Sequence, residues 1–488
     1  MDNLIHLGFS KTLQGGKEAN SGQRFGRMLC LNAGSSSLKF KLFDVSTYRP
    51  DSIALIGGSI KLDSSSDTAR VDMFCSSNDK HHSDTKEWSE IASGEVLAYL
   101  FSTMADLLGE GLGIMTVVHR IVHGAHLDQC VSITRDDQHH LHTLQFLAEF
   151  APLHNAVSVQ LIKVCLNSTE LNRKHTNVCC FDTNFHRSMD EVKSGYMVDP
   201  NLAGERLPGG MKLRKWGFHG LSYASVLSTV SRSINKDAHN LNLIMLHLGS
   251  GSSICSVVRG RSFDTSMGLT PLEGLPGGTR SGSVDPVLAL HLSSATLPGG
   301  KDGTVEIADG IRVSRAEVVL NKHSGFKAVA GSSDFAEIVQ RRNEFLQGRT
   351  MGKHKEEERS KDRSAVLAFD MFVDRIVGFI GAYVLKMCSA GGVDAVVLAG
   401  GIGEKSHELW AELASKVELS SVSVSGESVV RAKEDESKCW QLKREELRLE
   451  QTNRTTAMGQ CVPWLVCRTD EEGEMAKEVI DAWVRGKQ

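Results

Sequence analysis

Proline is scarce in this sequence, at 9 of 488 residues, about 2% against an ordinary share near 5%. No run of 18 apolar residues occurs, so no transmembrane helix is expected. The first 27 residues lack a long apolar core, which argues against a secretory signal. Charge of one sign is also missing. Lys plus Arg number 55 and Asp plus Glu 59, a net charge of -4. That balance argues against a partner held by bulk electrostatics, either nucleic acid or a membrane surface. The 11 cysteines contain no C-x-x-C pair, and the only close pair is Cys179 and Cys180. Such usage reads as reduced, mostly buried thiols in a reducing, cytoplasmic compartment.

What the sequence has in excess is glycine, 46 residues, about 9% against an average near 7%. Many glycines with few prolines point to tight turns between regular elements, not to a linker protein. The chain is long enough for about three domains and for a large buried core. Residues 1–27 read as an N-terminal extension, expected to be disordered. A mitochondrial presequence is the alternative, since Lys11, Lys17, Arg24 and Arg27 outnumber Asp2 and Glu18 there.

Two stretches share one style. At 28–45 and again at 243–258 an apolar run meets a Gly/Ser turn and a second apolar run, which predicts two β-hairpins. Two such units far apart suggest two copies of one nucleotide-handling domain. Between them, 61–90 reads as loops or irregular strands. Helices are expected at 93–108, from an Asp136/Asp137 cap to 150, and at 156–166; strands are expected at 116–122 and 178–181. Further on, 367–387 reads as a long buried helix, 395–398 as a strand, about 407 onward as a helix and 464–467 as a strand. Two segments look inserted: the charge run at 353–363 and the Ser/Val-rich then charged run at 419–456. Strands alternating with helices indicate an α/β protein.

Seven motifs carry chemistry. In LNAGSSSLKF, Gly34, three serines and Lys39 could approach an anion; the turn joins strand to strand, so it is no Walker loop. In HRIVHG, Arg120 could grip a carboxylate or phosphate bidentately. In FDTNFH, Asp182 follows an apolar strand, where α/β sites form, and could bind Mg²⁺ or orient a nucleophile. GFHG leaves His219 flanked by glycines. HLGSGSS and the following TSMGLTPLEGLPGGTRSG suit phosphate cradling by backbone, with Arg280 meeting phosphoryl charge. GGIGE resembles a nucleotide-binding strand–loop–helix turn. Near the end, Asp470, Glu471 and Glu472 could hold Mg²⁺ or cap the final helix. Each motif alone is equally a turn, a cap or a structural side chain.

In this order, and with APLHN at 151–155, these motifs resemble the acetokinase family from about residue 28 to 480. The resemblance implies two similar RNase H-like (actin-type ATPase) α/β domains with an interdomain catalytic cleft. It places the N-terminal domain at 28–182 plus 472–488 and the C-terminal domain at 183–471, with the latter forming a homodimer interface. The implied reaction is ATP + acetate ⇌ ADP + acetyl phosphate with Mg²⁺, Mn²⁺ being the alternative. Asn32 and Glu471 would organise the metal. Arg120 would hold the acetate carboxylate, and Val122, Leu153, Phe218 and Pro271 would surround its methyl group. Asp182, His219, Arg280 and Arg120 would be catalytic. Lys39, the run His247, Leu248, Gly249, Ser250 and Gly251, then Asp334, Phe335 and Ala336, and Gly401, Ile402, Gly403, Glu404 and Lys405 would bind nucleotide. No nucleic-acid or membrane partner is expected.

Ser250, Ala336 and Lys405 depart from the asparagine, arginine and asparagine usual in the family, all on the nucleotide side. A pyrophosphate-linked acetate kinase is therefore the alternative donor reading. A noncatalytic nucleotide switch on the same scaffold would be expected to have lost Arg120, Asp182, His219 or Arg280, and a butyrate-type kinase is disfavoured by APLHN and TSMGLTPLEGL.

Overall fold

The computed structural model describes residues 26–34, 37–45, 53–63, 66–148, 152–199, 201, 211–293, 304–308, 311–348, 356–417, 439–441 and 462–485. Residues 1–25 of the expected N-terminal extension and most of the 419–456 insert lie outside the described residues, and Arg27, placed in that extension, already belongs to the first strand. The chain divides into two compact units. One takes Met1–Asn184, Pro208–Met211 and Asp470–Gln488; the other takes Phe185–Leu207 and Lys212–Thr469.

The first unit is built on one sheet. Its strands are β1 (Arg27–Ala33), β2 (Ser37–Asp44), β3 (Ile56–Leu62), β4 (Ala69–Cys75), β5 (Lys80–Lys86), β6 (Ile114–Ile121), β7 (Val131–Ile133) and β8 (Thr176–Phe181). They lie in the order β5-β4-β3-β2-β1-β6-β8-β7. β1, β6 and β8 run parallel, and β1 through β5 form an antiparallel meander. The expected first hairpin is present. The stretch from 61 to 90, by contrast, is regular: Ala69, Val71, Met73 and Cys75 alternate inward along β4 while its polar residues face out. Serine and aspartate on the open face of an edge hairpin hid that alternation.

Helix Gly94–Leu108 covers the meander. Ser93 caps it, its hydroxyl accepting from the Val96 N–H, and Gly109 closes it in the left-handed region. Val96, Leu100 and Met104 from this helix meet Leu31, Phe40 and Ile60 from the sheet. Helix His139–Leu147 begins after Gln138, not at an aspartate cap, although Asp137 still accepts from the His139 N–H at 3.2 Å. The next helix runs Pro152–Asn167, and the final helix, Glu471–Arg485, also belongs to this unit.

The second unit repeats the plan. Its main sheet holds β9 (Leu243–Leu248), β10 (Ser252–Val258), β11 (Arg261–Thr265), β14 (Ala395–Ala399), β15 (Cys439–Gln441) and β16 (Trp464–Cys467), in the order β11-β10-β9-β14-β16-β15. A separate hairpin joins β12 (Thr304–Ala308) to β13 (Ile311–Ser314). β9, β14 and β16 are parallel, and β9, β10 and β11 are antiparallel. The five-strand succession β3-β2-β1-β6-β8 in the first unit is thus matched by β11-β10-β9-β14-β16 in the second.

Both faces of this second sheet are buried, which explains its continuous apolar strands. Leu246, Val396 and Leu398 point to one core, filled by Phe369, Phe372, Ile376 and Ile380 of the long helix Glu356–Met387. Met245, Val397 and Ala399 point to the other, against Tyr223, Val226 and Val230 of helix Gly220–Ser233. Each large side chain so buried contributes about 1.5–3 kcal/mol. The long helix starts earlier than its apolar text, taking in all of the 353–363 charge run from Glu356 onward. It is buried on one face only, since Leu367 and Leu385 are exposed. No helix among the described residues is long and apolar enough to cross a membrane. Nine of the ten described cysteines are buried.

Two buried histidines give the fold an acid limit. Burial holds the His119 and His186 imidazoles down at about 4, against an ordinary 6.5. His119 accepts or donates to the Asn177 side chain at 2.9 Å, and His186 lies between the Ser262 hydroxyl and the Phe218 carbonyl. The unfolded chain takes up these protons first. Their contribution is complete above pH 6.5 and is lost as pH falls toward 4. Thermal melts across that window should show Tm falling with pH, and His186→Asn should flatten part of the slope. A Tm independent of pH across that interval would contradict the assignment.

Candidate active site

In the first unit three parallel strands deliver three polar side chains to one edge. Asn32 is next to last in β1, Arg120 is next to last in β6, and Asp182 directly follows β8. The register sets Leu31 beside His119 and Ile121 beside Phe181, so the three strand ends are level. This is the carboxyl edge, where open α/β sheets place their sites.

The Arg120 guanidinium organises them. Its Nη2 donates to Asp182 Oδ2 at 2.7 Å and its Nε to the same oxygen at 3.2 Å. Its Nη1 donates to Asn32 Oδ1 at 3.1 Å and pairs with Glu471 Oε2 at 2.9 Å. The Asn32 amide then donates to Glu471 at 2.8 Å and to Glu472 at 2.7 Å. Asp182 has no exposed surface, and Glu471 and Glu472 are buried. Both glutamates open the final helix, where the macrodipole favours a carboxylate. Asp470, just before them, accepts from Gly473 N–H and pairs with Lys41.

Burial opposes the Arg120 charge, but Asp182, Glu471 and then Glu472 outweigh it and raise its pKa. Burial, reinforced by the Glu471 charge, pushes the Glu472 carboxyl up. Three carboxylates around one guanidinium leave a surplus of negative charge and an all-oxygen donor set from Asn32, Asp182, Glu471 and Glu472. Hard divalent cations such as Mg²⁺ prefer such donors, so these residues fit the expected metal.

Val122 is buried just past Arg120. Its loop is clamped by Asn155, whose side chain accepts from the His123 N–H at 3.0 Å and donates to the His123 carbonyl at 2.9 Å. Leu153 lies on the same helix; its side chain is outside the described residues. Lys39 sits opposite Asn32 across the first hairpin, exposed on β2.

In the second unit the β9–β10 turn is the focus. The Gly249 N–H donates to the Gly251 carbonyl at 3.1 Å. A Cβ on Gly251 would stand 3.1 Å from Arg280 Nη1 and 3.6 Å from His219 Nε2, so both side chains converge on bare backbone. His219 holds a left-handed backbone with φ 57°, a conformation costly for a non-glycine residue and concentrated at functional sites. Its Nδ1 meets the Ser253 hydroxyl at 2.8 Å, and Ser253 also meets the Tyr223 hydroxyl. Its ring stacks on His247 with centroids 4.2 Å apart, and His247 Nδ1 meets the Ser222 hydroxyl at 2.6 Å. Phe218 is buried, with its carbonyl accepting from His186.

The loop carrying Arg280 folds against the same turn. The Gly278 N–H donates to the Ser250 carbonyl at 2.9 Å, and a side chain on Gly277 would collide with that carbonyl. Tyr196 ties the half-buried Pro271 stretch, donating to Glu273 at 2.6 Å and accepting from the Leu269 N–H at 2.9 Å. Gly400, at φ 77°, lies directly under the Leu248 carbonyl, which brings the run from Gly401 to Lys405 beside the end of β9. In that run Gly401 and Lys405 are exposed and Gly403 is buried. Glu404 accepts weakly from the Thr469 N–H, and Ile402 packs on the core.

Asp334 caps helix Phe335–Leu346, its side chain accepting from the Ala336 N–H. Ala336 is exposed, but Phe335 points into the core against Phe326 and Phe369. Its side chain is therefore a packing group of the core. The motifs by themselves assign no role to Asn155, Ser222, Tyr223 or Ser253, and they do not set Glu472 apart from its acidic neighbours. Asn155 and Ser253 lie inside quoted motifs, and that position is the available signal. Tyr223 and Ser222 carry none, since each reads as an ordinary helix residue.

The model of the acetokinase family matches residues 27–441. A probable acetate kinase of Cryptococcus neoformans var. neoformans is 34% identical over 457 residues, covering 92% of this chain and 96% of that protein. An acetate kinase of Sulfurimonas denitrificans is 31% identical over 400 residues, covering 80% of this chain and 88% of its own. The crystal structure of a propionate kinase from Francisella tularensis is similar at TM-score 0.67 and 26% identity, covering 93% of this chain and 99% of that one. With its motifs gathered at matching strand ends and its relatives aligned over nearly their whole lengths, the chain belongs to the acetokinase family.

Proposed function

We propose that the chain catalyses reversible phosphoryl transfer between ATP and acetate, giving ADP and acetyl phosphate by direct in-line displacement. The observation that supports this best is the cluster of Arg120, Asp182, Asn32 and Glu471 at one sheet edge. It combines a carboxylate-binding fork with oxygen donors for a cation. Phosphoryl transfer needs positioning and charge compensation more than covalent help.

In this reading Arg120 exchanges one of its present oxygen partners for the acetate carboxylate and holds it bidentately. Asp182 orients the acetate and the metal. His219 and Arg280, converging beside the backbone of Gly251, offset charge on the equatorial phosphoryl oxygens. Ser253 fixes the His219 ring, and Tyr223 fixes Ser253. Mg²⁺ would be held through Asn32 and Glu471, with Glu472 behind them, and would supply charge neutralisation to the phosphates. The nucleotide phosphates run along 247–251, and the adenosine lies between 401–405 and the 334–336 turn, with Phe335 contributing backbone only.

The family resemblance implies Val122, Leu153, Phe218 and Pro271 as the residues that would surround the acyl methyl group in an apolar pocket. One methylene in such a pocket discriminates by only about 1–3 kcal/mol, so propionate is expected to react, more slowly. The acyl and metal side would belong to the first unit, which takes in Asp182 and Glu471, so the expected limits at 182/183 and 471/472 shift to 184/185 and 469/470; the nucleotide side would belong to the second unit, which would carry a homodimer interface.

A second donor, pyrophosphate, is favoured by one observation. Ala336 is exposed and puts no charge in the 334–336 turn, while the cation of the 401–405 run, Lys405, is exposed. Purified chain with Mg²⁺, acetate and either donor, assayed by hydroxylamine trapping, decides the matter. Acyl hydroxamate is expected with ATP; product with pyrophosphate alone would reverse the donor.

Two substitutions test the residue roles. Asp182→Asn should lower kcat by at least about 100-fold while the protein still melts cooperatively; full turnover in that variant would remove Asp182 from its role. Arg120→Ala removes the cation that offsets three buried carboxylates, so it should cost on the order of 3 kcal/mol in stability as well as activity. Arg120→Lys keeps the charge but not the fork. It should recover most of the stability and little of kcat/KM. Equal recovery of both would show that charge alone matters at this position.

A further inference from the structure

Behind the strand ends lies a second cluster that the phosphoryl-transfer reading does not use. Side chains alternate along β8. Cys179 faces Ile121 and Leu141, so Cys180 faces the opposite side of the sheet, toward the final helix. There its Sγ comes within 3.4 Å of Cys130 Sγ, from the loop between β6 and β7. On the final helix, Glu471, Met475 and Glu478 recur at helical spacing on one inward face. The Glu478 carboxylate completes a trio whose ligand atoms all lie within 4.8 Å of one another. Cys180 is fully buried, Cys130 nearly so, and Glu478 partly.

We propose that Cys130, Cys180 and Glu478 form a binding site for a thiophilic divalent cation of the Zn²⁺ class, clamping β8, the loop after β6 and the final helix together. Donor chemistry, spacing and charge all support it. The donor set fits: two thiols and one carboxylate suit zinc and not the hard cation expected at Asn32 and Glu471. The spacing fits as well. Zn–S bonds near 2.3 Å in a tetrahedron separate two sulfurs by about 3.8 Å, close to the 3.4 Å found. A disulfide would instead need the sulfurs at about 2.05 Å. Finally, the charge closes. Binding releases the two thiol protons, and two thiolates, one carboxylate and one Zn²⁺ leave a single negative charge. The hydrogen bond from Cys180 favours the Cys130 thiolate, but burial and the Glu478 charge outweigh it, and burial raises Cys180 as well, so both groups are thiols until a cation displaces their protons.

The consequence is mechanical. Cys180 lies two residues before Asp182, and Glu478 lies two helical turns after Glu471. A cation at this cluster would tie down the two segments that carry those carboxylates. The proposal stands apart from the assigned reaction and does not depend on it.

The test uses the full chain, reduced with a phosphine and stripped by a chelator. Zn²⁺ is then titrated in competition with a chromophoric chelator. One saturable site is expected, with about two protons released per ion and a rise in Tm. Cys130→Ser and Cys180→Ser should each weaken binding by at least about 100-fold. Cys388→Ser, at an exposed thiol, should change nothing. If Cys180→Ser fails to fold, Glu478→Gln serves, expected to weaken binding about 10-fold while Co²⁺ still gives thiolate charge-transfer absorption. Absence of saturable binding overturns the proposal. So does binding of equal strength in the Cys130→Ser chain, loss of binding in Cys388→Ser, or recovery of the pair as a disulfide under these reducing conditions.

Discussion

The first unit depends on one guanidinium. Asp182, Glu471 and Glu472 are buried carboxylates within a few ångströms of each other, and without a cation they could not all stay ionised. Arg120 meets two of them directly and the third through the Asn32 amide. The arrangement is costly to form, because desolvation of each charge opposes it. It persists because every strand that supplies a ligand is itself locked in the sheet by apolar residues on both sides. The fold is stable elsewhere, and that stability holds the polar edge in place.

The second unit solves a different problem, that of packing turns against one another through bare backbone. Here the constraint is steric. Gly251, Gly277 and Gly400 stand where a single carbon would meet Arg280, the Ser250 carbonyl or the Leu248 carbonyl. The glycine excess of the sequence thus becomes three specific approaches between turns. His219 adds a side chain in a backbone conformation that glycine would adopt more cheaply. The Ser253 and Tyr223 hydroxyls hold its ring there, and His247 stacks against it.

Much of this is legible in the sequence, for physical reasons that differ by element. The two hairpins are readable because glycine and serine interrupt strongly apolar runs, and the strand before Asp182 because its apolar run stops at a carboxylate. β4 and β5 are not, because an edge hairpin needs apolar residues on one face only and its serines mimic a loop. The burial of Phe335 is hidden by its neighbours: a capping aspartate and an exposed alanine make a surface-like context around a core ring. Glu472 does not stand out because adjacent acidic residues at a helix start look interchangeable until the Asn32 amide is seen to address both. Tyr223 needs the spatial neighbour Ser253, thirty positions away, and no local pattern announces such a contact.

The repeated strand order explains how one plan yields two chemistries. In both units a hairpin pairs with a parallel strand whose far end opens at the carboxyl edge. The difference lies in the turn and in the residues at which the parallel strands stop. In the first unit the turn comes after Asn32, and the parallel strands bring Arg120, next to last in β6, and Asp182, directly after β8, to the edge, which is rich in side-chain charge. In the second unit the turn is Gly249 to Gly251, and the adjoining strand β14 runs into Gly400, so the edge is rich in bare amide. The sheet fixes where a residue of a given register will stand. The residue placed there decides whether the edge presents charged side chains or bare backbone.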